Sequence, residues 1–483
     1  MPAQAQRHRL HLNRVACRTG ADIEKKWWKH QPVYGRFPSC QRKEKVVLAA
    51  WTRRSRLCRQ HIGQLLHPEE LQCRLLLPYG LPPVTLTWIL AMPSPAAGHF
   101  SPRRYYRTAL MAFFFVMGLV FASWAIRIPD IKARLSLGDA ALGSILLAAP
   151  LGEMLAIAPT AWLLGRIGSR HGIDCALLLM PVCLVLLGLA PSPALLFAAL
   201  LCFGFANNML NIALNTQAVD VEILYSRSIM ATFHGMWSLG GLVGGLLGAA
   251  IAPQGIAPLP HFCAVLCLVL LTLISLRHWT LPRAVRIGGR QKAKTSGRFR
   301  MDAYLLVLGF IALGSMATEG AMYDWSSVYF ADVVQPGEAL VRVGYVVCMA
   351  CMVLGRLTAD GLVNRFGVAL VLRLSGLSIA AGLSLAVLFP SLVPATLGLG
   401  LVGYGMASVV PLCYSLAGKS TRVPARVGIS LVSSVSFLGF LGCPPLIGFL
   451  SHAAGSLRWA FCPIIALGLS IALLVPVLHR LRA

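Results

Sequence analysis

The sequence predicts an all-α polytopic membrane protein with twelve transmembrane helices in two six-helix, pseudo-symmetric halves. Three observations carry this prediction. The 483 residues are 57% hydrophobic and only 12% charged, whereas soluble globular proteins carry about 25% charged residues. Apolar runs of about 20 residues, long enough to cross a bilayer as a helix, recur along most of the chain. A short basic loop that follows the second apolar run is repeated after the eighth.

The chain is strongly basic, with a formal net charge of +26. In a soluble protein this excess would suggest nucleic-acid binding. Here the basic residues fall at the ends of apolar runs, as the positive-inside rule describes. The sequence therefore favours the lipid bilayer as a partner and no nucleic acid.

The first 91 residues differ in composition from the rest. They contain basic stretches such as KKWWKH and WTRRSRLCRQH and show neither helical nor strand periodicity. Met92 then opens a short polar leader and the first apolar run, as in a typical bacterial inner-membrane protein. We expect residues 1–91 to be a spurious or disordered basic extension; the alternative is a basic arm that touches anionic lipid headgroups.

The predicted spans fall into two groups of six, separated by the basic segment RAVRIGGRQKAKTSGRFR. We take 92–280 as the amino-terminal half, 281–302 as a cytoplasmic linker and 303–483 as the carboxy-terminal half. With the amino terminus inside, most arginines of the short loops lie on the cytoplasmic side. The expected location is thus the bacterial inner membrane, with both termini cytoplasmic.

Short basic loops follow the second and eighth spans. AWLLGRIGSRHG and DGLVNRFGVALV align after a shift of 199 residues, which places Arg166 on Arg365 and Gly168 on Gly367. Such a repeat between two six-span halves is typical of transporters whose halves are related by an axis along the membrane normal. It predicts a binding site between the halves.

These loops resemble the basic gating motif of the major facilitator superfamily. The segments FASWAIRIPDIKARLSL, NNMLNIALNTQAV and EGAMYDWSSVYF are also similar to the MosC-like branch of its bacterial inner-membrane proteins. The resemblance covers about 103–480 and implies the major facilitator fold, with a solute site lined by spans 1, 4, 7 and 10. It implies gating roles for five loop residues: Arg166, Gly168, Arg170, Arg365 and Gly367.

The gating motif departs from the usual pattern at its acidic position. Gly165 stands there in the first loop and Asn364 in the second. Arg356 and Asp360 lie four residues apart on one face of the eighth span, the spacing of helical ion pairs. We expect these two residues to supply a substitute pair.

The seventh span carries acidic and hydroxyl side chains in otherwise apolar sequence. A carboxylate in hydrocarbon costs roughly 2.5–3.5 kcal/mol on insertion scales, so such residues usually have a function. Ser315, Glu319, Tyr323 and Ser326 share one helix face, and we expect Glu319 and Tyr323 to contact the solute. Asp324 points about 140° away from Glu319, which favours a gating position at the outer mouth or a role in helix packing.

The fourth span carries a row of amides. Asn208, Asn211 and Asn215 share one face and Gln217 follows. Interhelical hydrogen bonding is one interpretation; we favour a hydrogen-bonding wall for the solute. Trp124, at the end of the first span, is a further candidate contact.

Three ionisable residues stand apart from these stripes. Glu153 lies alone midway along the second span, where desolvation favours its neutral form, so we predict a proton-coupling role or a structural hydrogen bond. His234, in the fifth span, is either a structural donor or part of the proton path. Arg127 follows the first span and either snorkels to the interface or gates the solute path.

The sequence lacks the G-x-x-x-x-G-K-[ST] phosphate loop and familiar hydrolase motifs. We predict a secondary active transporter, not an enzyme, without cofactor or metal, working as a monomer by proton-coupled alternating access. Its solute is expected to be small and polar, such as a sugar or sugar-like compound. Two alternatives remain: a proton-antiport exporter of amphipathic compounds, and a non-transporting membrane receptor or assembly partner.

Overall fold

The computed structural model describes residues 102–225, 229–282, 302–420, 423 and 425–482. These residues form helices and no strand. Residues 1–91 and most of the predicted linker lie outside the described residues. Within them, twelve helical segments are long and apolar enough to cross a membrane, which confirms the predicted fold class.

The twelve spans are numbered here in chain order. Those of the amino-terminal half are Pro102–Ala125 with Ile128–Arg134, Asp139–Leu146 with Ala148–Ile167, Ser169–Leu189, Pro193–Tyr225, Met230–Ile251 and Pro258–Leu276. Those of the carboxy-terminal half are Ala303–Tyr329 continued by the π-turn Phe330–Val334, Val343–Phe366, Val368–Leu388, Leu392–Met406 with Val409–Gly418, Ala425–Ala454, and Leu457–Ala460 with Cys462–Arg482.

The start of span 1 identifies one face of the bundle. The Tyr225 hydroxyl at the end of span 4 donates to the Arg103 carbonyl, and Tyr105 stacks on Trp279, after span 6, with ring centroids 4.1 Å apart. We call this side the terminal face and the opposite side the distal face. Loops after odd-numbered spans therefore lie at the distal face.

The sequence repeat is also a structural repeat. Spans 3 and 9 each contain 21 residues. Span 9 begins 199 positions after the first residue of span 3 and ends 199 positions after its last residue. The glycines that precede them, Gly168 and Gly367, have φ, ψ of 84°, 163° and 80°, 156°. This region of backbone space is open almost only to glycine, so both halves make the same sharp turn at the same register.

A second pair of contacts keeps this register. A Cβ at Gly204 would lie 2.0 Å from the Ala149 carbonyl oxygen, and one at Gly403 would lie 2.1 Å from that of Cys348. Both residues of the second pair lie 199 positions after those of the first. Spans 2 and 4 thus pack at backbone contact as spans 8 and 10 do, and residues 199 apart occupy equivalent positions in these four spans.

We expect Gly168→Ala and Gly367→Ala each to lower stability by about 1–3 kcal/mol, because a side chain strains this turn. Thermal unfolding of the detergent-purified protein measures the loss. Gly165→Ala is the matched control, because its site is open and lies within a helix. Equal melting temperatures for Gly168→Ala and Gly165→Ala would contradict the assigned strain.

The ends of spans 3 and 9 are capped by arginines at the distal face. Arg134 donates to the carbonyls of Gly188 at 2.5 Å and Ala190 at 3.1 Å. Arg458 donates to that of Val387 at 2.6 Å. The last carbonyls of a helix lack intrahelical partners, so each arginine satisfies them and ties a distal loop to its own half.

Candidate functional site

A carboxyl–amide cluster lies at mid-bundle in the amino-terminal half. Glu153 Oε1 accepts a hydrogen bond from Asn207 Nδ2 at 2.7 Å, and the Glu153 carbonyl accepts one from Asn208 Nδ2 at 2.6 Å. Glu153 is therefore not isolated, as the sequence suggested, but bound to span 4. Sequence analysis missed Asn207, although the doublet NN was the available signal.

This cluster has no polar counterpart in the other half. At the register of 199 residues, Glu153 corresponds to Met352. Asn207 and Asn208 correspond to Met406 and Ala407, and all three counterparts are buried hydrophobic residues. The fold therefore packs this position without polar groups, so packing alone does not explain the Glu153 cluster.

Asp324 lies in span 7, two helical turns before Asp332, and is half-buried. The neighbouring Trp325 is fully buried. This position favours the helix-packing interpretation of Asp324 over the outer mouth, and its role stays a prediction.

A second polar cluster surrounds Glu319. Arg356 Nη2 lies 3.5 Å from Glu319 Oε1, and Arg356 Nη1 donates to the Ser238 hydroxyl of span 5. The Tyr323 hydroxyl donates to Glu319 Oε1 at 3.4 Å. The expected Arg356–Asp360 pair is wrong: Asp360 is exposed, and Arg356 turns into the bundle, where the partly buried carboxylate of Glu319 compensates its charge.

Aromatic rings cross the boundary between the halves beside this ion pair. The Tyr323 ring centroid lies 5.3 Å from that of Phe121, 6.3 Å from that of Trp237 and 6.3 Å from that of Tyr345. The Arg356 guanidinium lies 5.9 Å from the Trp237 ring centroid. This aromatic cluster, which sequence analysis did not identify, provides flat apolar surfaces next to charged groups.

The remaining amides of span 4 divide into two kinds. Asn215 Nδ2 donates to Asn211 Oδ1 at 2.6 Å, and both residues are half-buried. Gln217 is completely buried; its Nε2 donates to the Leu281 carbonyl at 3.1 Å, and the Leu281 N–H donates to its Oε1 at 3.2 Å. Gln217 is therefore not part of a solute wall, since both ends of its amide hold the segment after span 6.

We expect Gln217→Ala to destabilise the fold by about 1–3 kcal/mol, because it leaves buried backbone groups unpaired. Solute affinity of the folded fraction should stay unchanged. Thermal unfolding and ligand-induced shifts measure the two effects, with the exposed neighbour Thr216→Ala as control. A loss of affinity at unchanged stability would return Gln217 to the binding site.

Two further candidates lie away from the polar clusters. Trp124 is 2% exposed and belongs to the hydrophobic core, so the predicted solute contact is absent from this conformation. The His234 ring packs edge-on against Phe114 at 5.6 Å, and its carbonyl accepts from Ser238. Its contacts therefore favour a structural role near Arg356.

The gating arginines at the terminal face lie against aromatic rings of their own halves. The Arg166 guanidinium lies 4.2 Å from the Trp162 ring centroid, and that of Arg365 lies 5.3 Å from the Phe366 ring centroid. Arg170 is half-buried at the start of span 3. In this conformation each of the two basic loops therefore keeps its arginine beside a neighbouring ring of the same segment.

The distal face, in contrast, is closed by ion pairs between the halves. Arg127 Nη1 lies 3.2 Å from Asp130 Oδ2, and Arg342 Nη2 lies 2.5 Å from Asp130 Oδ1. Arg342 Nε also donates to the Ile126 carbonyl at 3.3 Å. Arg127 is 1% exposed, so the snorkelling interpretation is wrong and Arg127 belongs to this closure.

A second triad closes the same face with the opposite charge pattern. Lys132 Nζ lies 2.6 Å from Asp139 Oδ1 and pairs with Asp332 of the other half. Asp139 also accepts a hydrogen bond from Ser451. Both triads are centred on the short helix Ile128–Arg134, and together we call them the distal seal. At mid-bundle, the bond from Arg356 to Ser238 also joins the two halves.

Comparison with known proteins identifies the architecture. The family model for the Major Facilitator Superfamily matches residues 108–428. The chain belongs to the major facilitator superfamily. It is 34% identical to an uncharacterised MFS-type transporter of Yersinia pestis, over 74% of this chain and 92% of the relative. It is 32% identical to membrane protein MosC of Rhizobium meliloti, over 77% of this chain and 90% of MosC.

The structural comparison agrees. The nucleoside transporter NupG superimposes with a TM-score of 0.60 at 12% identity, over 78% of this chain and 99% of NupG. At this identity the likeness concerns the fold. The predicted resemblance to the MosC-like branch of the major facilitator superfamily is confirmed, and this member is a secondary transporter.

Proposed function

We propose that this superfamily member is a proton-coupled transporter of a small polar solute, such as a sugar or sugar-like compound. The observation that carries the proposal is the Glu153–Asn207–Asn208 cluster, whose equivalents in the other half are Met352, Met406 and Ala407. Polar groups that the fold does not require, at mid-bundle, are best explained by the chemistry of transport.

Glu153 is the proposed proton carrier. Its hydrogen-bond donor is the neutral amide of Asn207, and no ion pair reaches it within the described ranges. A carboxyl in these surroundings is costly to charge, so its proton state follows its exposure to water. Glu319 differs, because Arg356 balances its charge.

The solute is proposed to bind between the two clusters. Asn208, Asn211 and Asn215 provide amides from one half, and Glu319 with Arg356 provides charged hydrogen-bonding groups from the other. Amides and carboxylates suit hydroxyl groups, and an aromatic face suits the apolar face of a sugar ring. NupG, which shares the fold, is a nucleoside transporter, and a nucleoside also carries hydroxyl groups on a sugar.

We further propose that the chain works as a monomer in a bacterial inner membrane, with the terminal face in the cytoplasm. The arginine-rich short loops support this orientation. The distal face would then be outside, and the distal seal would close the solute path to the exterior. Arg166, Gly168, Arg170, Arg365 and Gly367 would act at the cytoplasmic side in the opposite conformation.

A thermal-shift screen against small polar metabolites, followed by uptake into proteoliposomes, tests this function. A ligand at 100 times its Kd adds about 2.7 kcal/mol of stability. We expect a stabilising sugar or sugar-like compound to accumulate when a pH gradient is imposed and to equilibrate without one. Accumulation that ignores the pH gradient would refute proton coupling.

The aromatic cluster favours a second candidate, the proton-antiport exporter of amphipathic compounds. Phe121, Trp237, Tyr323 and Tyr345 offer the apolar surface such compounds need. This function predicts that deletion causes hypersensitivity to amphipathic compounds and that these compounds accumulate in inside-out vesicles whose lumen is acidic. Polar metabolites would then give no thermal shift.

A further inference from the structure

Within the distal seal, the triad of Arg127, Asp130 and Arg342 contains more buried positive charge than its one carboxylate balances. Arg127 and Arg342 share Asp130, and their side chains are 1% and 6% exposed. The two guanidinium groups bind the two oxygens of this one carboxylate. Two buried positive charges therefore face one negative charge, an arrangement that is costly in a protein interior.

His261, in span 6, binds the Nε of Arg127 and adds no negative charge. Arg127 Nε donates to His261 Nδ1 at 3.3 Å. A guanidinium has no acceptor, so Nδ1 must accept this bond, and the imidazole is neutral with its proton on Nε2. The histidine thus orients Arg127 and leaves the charge of the triad unchanged.

Two donor atoms of this pair are buried without a hydrogen-bond partner among the described residues. They are Arg127 Nη2 and His261 Nε2. An unsatisfied buried donor is costly, and more so when it is charged. The nearby acids of the second triad bind Lys132, so their carboxylates serve another cation.

We propose that Arg127 Nη2, beside Arg342, binds a small monovalent anion, with chloride as the physiological species. The anion supplies the acceptor that Nη2 lacks and brings the Arg127–Asp130–Arg342 charge to zero. The burial of Arg127 favours a monoatomic ion over an organic carboxylate. Because Arg342 comes from the other half, a bound anion stabilises the closed distal seal, whichever solute is transported.

Thermal unfolding of the purified full chain in sodium chloride and in sodium gluconate, at equal ionic strength, provides the first test. We expect a saturable rise in melting temperature with chloride and with bromide. Arg127→Gln should abolish the rise, whereas Arg373→Gln, at an exposed position, should keep it. Equal melting temperatures in the two salts across the titration would overturn the proposal.

A bromide-soaked crystal provides the second test and needs no variant. We expect an anomalous peak beside Arg127 Nη2, lost again after exchange into gluconate. A water molecule at this position, or bromide bound as an adventitious ion only at the surface, would overturn the proposal. This result decides the matter even where Arg127→Gln fails to fold.

Discussion

Replacement of Glu153 by glutamine is expected to abolish proton-driven accumulation and to leave solute exchange intact. Glutamine keeps the size and can still accept from Asn207 Nδ2, but it cannot bind and release a proton. A proton-motive force of 100 mV, imposed as a pH gradient, supplies about 2.3 kcal/mol per proton, or about 40-fold accumulation. This gradient should fall to unity in the variant, as measured by uptake into proteoliposomes with an imposed pH gradient.

Counterflow, in which labelled solute exchanges for unlabelled solute without net proton movement, gives the complementary measurement. We expect Glu153→Gln to retain it. Asp360→Asn is the matched control, because it removes an exposed carboxyl of span 8 and should keep both activities. Full accumulation by Glu153→Gln would remove Glu153 from the proton path and leave Asp324 as the next candidate.

Arg342→Met is expected to open the distal face. The change removes the ion pair to Asp130 and the bond to the Ile126 carbonyl, yet leaves Arg127 paired with Asp130. A hydrogen bond to a charged group contributes about 1.5–3 kcal/mol, and each 1.4 kcal/mol shifts a population about tenfold. The population open at the distal face should therefore rise by at least about tenfold.

Spin labels at Ala133 and Glu338, both exposed distal positions in opposite halves, report this opening as an increased distance. Arg134→Met is the control, because Arg134 bonds to carbonyls within one half. It should leave the distance distribution unchanged even where it lowers the melting temperature. An unchanged distribution in Arg342→Met would contradict the role assigned to Arg342 in the distal seal.

The repeat and the twelve spans could be predicted because both depend on local sequence patterns. Hydrophobic length identifies a span, and glycine at the turn marks a backbone conformation that other residues avoid. Gly168 and Gly367 aligned in the sequence repeat, although the turn itself was not predicted. The amide row of span 4 was also readable from helical spacing, and Asn208 indeed reaches Glu153.

The partners of the charged residues could not be predicted in the same way. Helical spacing predicted Asp360 as the partner of Arg356, but the structure pairs Arg356 with Glu319, 37 residues away. Gln217 looked like a continuation of the amide row, and only the path of the chain after span 6 shows that Leu281 uses both ends of its amide. The distal seal joins residues up to 312 positions apart, a separation without a local signature.

The capping arginines at the distal ends of spans 3 and 9 have a mechanical consequence. Arg134 and Arg458 each anchor a distal loop to a helix of the same half. The distal loops of each half therefore move together with its helices as one rigid body. A rocking motion of one half against the other then requires no unfolding of loops. Its energetic barrier lies in the few bonds that join the two halves. Substitutions of residues that bond across the two halves should change the rate of the transport cycle and leave the structure of each half unchanged.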